Sequence, residues 1–203
     1  MSKAILGVLC SGRGTNLQSI MAAVASGQIP AEIGIVLTDK PEAKALDRAE
    51  KAGLVHVCVD RRQCASKQEF EEKLVKALQE AGVTLVILAG FMRILSPYFV
   101  QRFKGRILNI HPSLLPSFGG AHAHRDVLAY GVKVSGCTIH FVDEGMDSGP
   151  IILQDTVPVL DDDTEDTLAA RVLEKEHVLY PRAIELYLKD KLQIEGRQVK
   201  IRQ

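Results

Sequence analysis

The chain has 203 residues, 46% of them apolar and 25% charged, which suits one domain, or a crowded two, with a full hydrophobic core. These proportions exclude a disordered chain, a collagen-like repeat and a disulfide-stapled miniprotein. With 25 basic and 25 acidic side chains, the chain has no basic surplus of the kind a protein bound to nucleic acid carries.

Ala4–Cys10 is an apolar run that ends at a glycine-rich turn, which predicts a buried strand. It follows Lys3 as in a signal peptide, but Ser11-Gly12-Arg13-Gly14 stands where a cleavage site would be. Leu17, Ile20, Met21 and Val24 then fall at helical spacing, and runs at 33–37, 55–59 and 83–89 predict three more strands. Ser66-Lys67-Gln68-Glu69 is a capping box for a helix that buries Phe70, Leu74, Ala77 and Leu78 and closes at Gly82. Ser96-Pro97 starts a short helix to about Phe103. A short fifth strand at 107–110 precedes a loop at 112–120. Two longer strands are expected at 134–142 and 151–159, joined by a loop at 143–150. A long helix over 164–188 should bend at Pro181, and the tail from Leu192 to Ile201 alternates around Glu195-Gly196 as a small hairpin does. Buried strands alternating with helices predict an α/β fold with a mostly parallel sheet covered on both faces. Ligands in such sheets bind outside the carboxyl ends of the strands.

No apolar stretch reaches the ~18 residues that span a membrane. Cys10, Cys58, Cys64 and Cys137 lack C-x-x-C spacing, so reduced thiols of a cytoplasmic protein are expected.

The turn Ser11-Gly12-Arg13-Gly14-Thr15-Asn16 sits between a strand and a helix, where glycines and free N–H groups suit an anion. A tight turn without a ligand gives the same pattern. Leu17 occupies the third glycine position of a dinucleotide fingerprint, although Asp39 stands where an acid could hold a ribose. A Gly-Lys-Ser/Thr phosphate loop is absent.

Asn109 and His111 lie two apart at a strand's end and project to one side. An amide donor beside an imidazole suits a developing oxyanion, and Asp147, in a glycine-flanked loop, would raise the pKa of a nearby imidazole. Singly, each has a structural reading, as a strand-end histidine or a turn-forming aspartate. Glu176 falls on the apolar stripe of Val172, Leu179 and Tyr180 and therefore needs a partner, whether a ligand or a neighbouring cation. His122 and His124 make only two ligands of a metal site. Asp161-Asp162-Asp163 precedes a helix and reads as capping and dipole complementarity. His140 either supports the site from behind or is a satisfied core histidine.

Four segments together resemble the core of the folate-dependent formyltransferases. They are Asn109-Ile110-His111-Pro112-Ser113-Leu114-Leu115-Pro116, Gly136-Cys137-Thr138-Ile139-His140-Phe141-Val142, Asp147-Ser148-Gly149-Pro150-Ile151-Ile152 and Leu88-Ala89-Gly90-Phe91-Met92-Arg93-Ile94-Leu95-Ser96-Pro97. The turn at 11–17 is similar to that of the subgroup using glycinamide ribonucleotide (GAR). The resemblance runs to about Pro181.

It implies a Rossmann-like formyltransferase fold with a seven-stranded sheet, as one domain over 1–203. Its parts would be a mononucleotide-binding half at about 1–105, a folate and catalytic half at about 106–190 and a hairpin tail at 191–203. The implied reaction moves a formyl group from 10-formyltetrahydrofolate to the GAR amine in purine synthesis. The resemblance gives the GAR phosphate to Gly14, Thr15 and Asn16, and the ribose to Glu176. It gives the folate to Met92, Arg93, Ile94, Leu95 and Asn109, with Lys67 near the folate tail in place of the usual arginine. His111 takes the place of the catalytic histidine, Asn109 of the amide donor and Asp147 of the carboxylate. Direct attack of the amine needs neither a metal nor a covalent intermediate. Two small molecules are the implied partners, with no nucleic acid or membrane, and homodimers occur in the family.

The nearest alternatives share this core: a methionyl-tRNA or sugar-amine formyltransferase, or a formyltetrahydrofolate hydrolase. The tRNA enzyme carries a further C-terminal domain, and the hydrolase a regulatory one. A non-catalytic nucleotide- or folate-binding module and a nicotinamide dehydrogenase are the alternatives from other classes.

Overall fold

The computed structural model describes residues 3–202, so Met1, Ser2 and Gln203 of the expected 1–203 domain lie outside the described residues. The chain divides between Leu108 and Asn109 into two compact units.

The first unit comprises β1 (Ala4–Cys10), α1 (Thr15–Ala25), β2 (Ala31–Thr38), α2 (Lys44–Lys51), β3 (His56–Cys58), α3 (Lys67–Glu80), β4 (Leu85–Leu88), α4 (Pro97–Arg102) and the start of β5 (Ile107–His111). Its strands lie in the order β3-β2-β1-β4, all parallel. Leu6, Val8, Leu9, Leu37, Val86 and Ile87 are fully buried, as strands covered on both faces require. Cys10 stands opposite Thr38 and Leu9 opposite Leu88, so β1, β2 and β4 end at one edge. The turn at 11–14, Asp39 and the segment 90–95 all leave the sheet at that edge.

Local chemistry explains the helices. Ser66 Oγ accepts the Glu69 N–H at 3.0 Å, and the Glu69 carboxylate accepts the Ala65 N–H at 2.7 Å, so α3 begins where the capping pattern put it. Phe70, Leu74 and Leu78 are buried beneath it, while Ala77 is only half-buried. Helix α2 escaped the sequence reading because its buried positions are only Ala45 and Ala49 and no side chain caps its start.

The second unit holds α5 (Ala123–Tyr130), β6 (Val134–Phe141), β7 (Ile151–Pro158), α6 (Glu165–Leu188), β8 (Leu192–Glu195) and β9 (Gln198–Ile201). Strands β6 and β7 pair antiparallel, β9 joins β7 in parallel at Gln198 and Ile151, and β8 pairs antiparallel with β9. Val127, Cys137, Val157, Leu168 and Val172 form a buried cluster joining α5, α6 and these strands. Thr164 and Thr167 cap α6 reciprocally, and the Arg171 guanidinium holds the Asp163 carboxyl well below its usual range.

One expectation is corrected, and one helix is added. The described residues form nine strands, where seven were expected, because the tail hairpin pairs with β7 and extends the sheet. Helix α5 forms beyond the loop at 112–120; its apolar pattern is short, and Gly131 closes it in a left-handed conformation at φ 82°. Helix α6 forms over the expected span with Pro181 inside it.

Gly136 on β6 faces the Asp155 carbonyl so closely that a Cβ there would overlap it and also press on Leu114. Gly136→Ala is expected to cost about 2–3 kcal/mol, read as a lower urea midpoint at unchanged slope.

Candidate active site

His111 ends β5 and is buried. Its Nε2 donates to the Phe118 carbonyl at 2.9 Å, because a carbonyl only accepts. Its Nδ1 lies 3.5 Å from Asp147 Oδ2. Both ring nitrogens thus face acceptors.

Both acceptors are held in turn. Ser113 Oγ donates to the Ser117 carbonyl at 2.7 Å and to the Phe118 carbonyl at 3.1 Å. Thr138 Oγ1 on β6 donates to the Ser113 carbonyl at 2.6 Å and accepts the Leu115 N–H at 3.0 Å. Gln154 on β7 donates to both the Leu115 carbonyl and Thr138, at 2.9 Å each. Asp147 Oδ2 also accepts the Gly120 N–H at 2.8 Å. Asp147 has φ 51°, left-handed for a non-glycine residue. Its loop is fixed by Asp143 Oδ1, which accepts from the Ser148 hydroxyl at 2.6 Å and the Gly145 N–H at 3.1 Å. A Cβ at Gly149 would overlap the Phe141 carbonyl, so that approach requires glycine.

Asn109 and His140 form the other half of this cluster. His140 Nδ1 donates to the Phe141 carbonyl at 2.8 Å, which leaves Nε2 as an acceptor in the neutral ring. Asn109 Nδ2 donates to that Nε2 at 3.1 Å. Burial pushes the His140 pKa down and so favours the neutral form. One Asn109 N–H is used in this bond, and the amide carries a second.

In the first unit the glycine-rich turn is shaped by α2. The Gly12 carbonyl accepts the Ala45 N–H at 3.1 Å, and the Arg13 carbonyl accepts Arg48 Nε at 2.8 Å. A trans peptide points its N–H opposite to its carbonyl, so the N–H groups of Arg13 and Gly14 turn away from α2. Gly14 is the N-cap of α1 at φ 70°, and no side chain caps the helix. A Cβ at Gly14 would lie 2.9 Å from Ala45 Cα. Thr15 is half-buried and Asn16 buried in the first turn of α1. N–H groups arranged in this way suit an anion.

Beside the turn, Ser11 N–H donates to the Gly90 carbonyl at 3.0 Å and Ser11 Oγ accepts the Met92 N–H at 2.8 Å. Met92 and Ile94 are 67% and 62% exposed, whereas Leu95 is buried. Arg93 Nε donates to Asp39 Oδ2 at 2.6 Å, so Arg93 already takes the acid that a dinucleotide site would turn to a ribose. Lys67 Nζ lies 3.9 Å from Glu71 Oε1. In the second unit, Glu176 is buried on α6 beside the Cys137 thiol, whose pKa is pushed up to about 12, first by burial and then by the Glu176 charge.

The sequence reading missed the Phe118 carbonyl and Gly120 N–H, because backbone groups leave no trace in residue type. It also passed over Thr138 and Gln154. Thr138 and His140 lie two apart on β6, as Asn109 and His111 do on β5, and that alternation was the available signal.

Residues 5–184 match the formyl transferase family. The trifunctional purine biosynthetic protein adenosine-3 of Gallus gallus is 46% identical over 193 residues, covering 95% of this chain and 19% of that protein. The chain therefore spans about a fifth of the length of that trifunctional relative. The phosphoribosylglycinamide formyltransferase of Haemophilus influenzae is 40% identical over 94% of this chain and 90% of its own length. Among solved structures, glycinamide ribonucleotide transformylase 1 from Symbiobacterium toebii superposes with a TM-score of 0.97 at 47% identity, covering 99% of this chain and 95% of that one.

His124, His140 and His177 all have pKa values lowered first by burial. The unfolded chain then binds more protons than the folded one below the usual histidine pKa of about 6.5, so stability is full above it and falls with pH. Melting temperature should drop from about pH 7.5 to about pH 5.5, and His140→Gln should make that slope shallower. An unchanged slope in the variant contradicts a neutral His140.

Proposed function

The chain belongs to the formyl transferase family, on its phosphoribosylglycinamide formyltransferase branch, and from that membership we propose that it moves the formyl group of 10-formyltetrahydrofolate onto the amine of GAR in purine synthesis. The observation that carries the chemistry is the pair of bonded sets in the second unit, His111 with Asp147 and Asn109 with His140.

Attack of the amine on the formyl carbon drives negative charge onto the formyl oxygen. Asn109, aligned by His140, offers its second N–H to that oxygen. The His111 ring, with Asp147 beside its Nδ1, is the second donor, exchanging the Phe118 carbonyl for the formyl oxygen. The Asp147 carboxylate takes part in moving the proton off the attacking amine, directly or through water. Collapse of the tetrahedral intermediate returns an N–H to the folate and leaves the formyl group on the acceptor.

The binding roles follow the same reading. Gly14, Thr15 and Asn16 seat the GAR phosphate, and Glu176 meets its ribose. Met92, Arg93, Ile94 and Leu95, with Asn109, bind the folate, and Lys67 faces its acidic tail. Lysine keeps the charge of the family's usual arginine but loses its planar fork, so it holds a carboxylate with less geometric constraint. The partners are two small molecules in the cytoplasm. Among the described residues, no helix is long and apolar enough to cross a membrane.

A two-substrate assay following folate absorbance tests the reaction. Loss of the formyl group should require GAR; loss without it supports a hydrolase. Asn109→Ala, His111→Ala and Asp147→Asn should each lower kcat by about 10²–10³ with the fold intact. Near-normal turnover in any of the three removes that residue from the mechanism.

A further inference from the structure

Residues 90–95 have no regular secondary structure, yet directional bonds hold them along their length. Ser11 binds Gly90 and Met92, and Asp39 binds Arg93. The far end is held by Glu71 on α3, whose Oε1 accepts the Ser96 N–H at 2.8 Å and whose Oε2 accepts the Ser96 hydroxyl.

Glu71 is out of pattern for its helix. It is 1% exposed beside buried Phe70, Leu74 and Val75, whereas Glu72 and Glu80 face solvent and Glu69 is half-exposed. A leucine would satisfy the helix there, and a buried carboxylate is costly unless bonded. Among the described residues its bonds lead to Ser96 or to Lys67, one turn back on the same helix. Phe91 and Leu95 are buried at either end of the stretch that turns Met92 and Ile94 outward. Apolar burial is non-directional and does not fix which way the intervening residues point. A two-pronged bond to the next residue does.

We propose that Glu71 is a positioning residue for the formyl donor: by gripping Ser96 through both N–H and hydroxyl it fixes the outward placement of Met92 and Ile94, and it holds Lys67 at the same carboxylate. This rests on the reading of Lys67 and residues 92–95 as donor-binding. Glu71 has no part in the bond changes.

The test uses the full chain, with donor and acceptor varied separately. Glu71→Leu, which suits the helix but leaves the Ser96 N–H without its acceptor, should raise the donor KM roughly tenfold while kcat and the acceptor KM stay within about twofold. Glu71→Gln, whose amide can still meet both Ser96 groups, should restore most of the affinity. Ser96→Ala, which removes one prong, should raise the donor KM by a few fold. Amide exchange across 91–96 should speed up in Glu71→Leu and not in Glu80→Gln, an exposed control on the same helix. The proposal is overturned if Glu71→Leu leaves the donor KM unchanged, raises both KM values equally, or is matched by Glu71→Gln. Should Glu71→Leu not fold, an unchanged donor KM in Ser96→Ala overturns it. A wild-type protein that neither binds nor consumes a 10-formyl folate refutes the donor assignment itself, and the exchange data then still report on the grip.

Discussion

His111 offers its two ring nitrogens to two acceptors, and much of the second unit serves to keep both acceptors in place. The Phe118 carbonyl is set by Ser113, and the loop that carries it is tied to β6 and β7 through Thr138 and Gln154. The Asp147 carboxylate is set by the Gly120 N–H and by a left-handed backbone in a loop closed around Asp143. The fold therefore fixes the direction of both ring nitrogens by geometry.

His140 shows the opposite solution. Its ring has one backbone acceptor and one amide donor as neighbours, and burial disfavours its charge. Two histidines of one cluster thus differ because their neighbours differ, one facing an acceptor at each ring nitrogen and one accepting from Asn109. Pairs of titratable groups whose surroundings push them apart are how a site assigns distinct roles to one residue type.

The strand-and-helix alternation was legible because each buried strand is an apolar run closed by glycine or proline, and α3 because its cap and stripe agree. Helix α2 was not, since alanines alone bury it and alanine carries no periodic signal. Asn109 and His111 could be paired from their spacing on one strand, but nothing in spacing places Asp147 beside them. That required the resemblance in sequence, and the 3.5 Å separation appears only in the fold. The tail hairpin was legible as a hairpin, yet its joining β7 depends on a free sheet edge that no local pattern reports.

That hairpin does more than cover an edge. Arg197, at its tip, donates to the Ser148 carbonyl at 2.8 Å, one residue past Asp147. Short two-stranded ribbons are marginal alone and tend to open first in the native state. The carboxylate loop is thereby tied to the tail hairpin as well as to Asp143, so a displacement of the hairpin tip is felt one residue from Asp147.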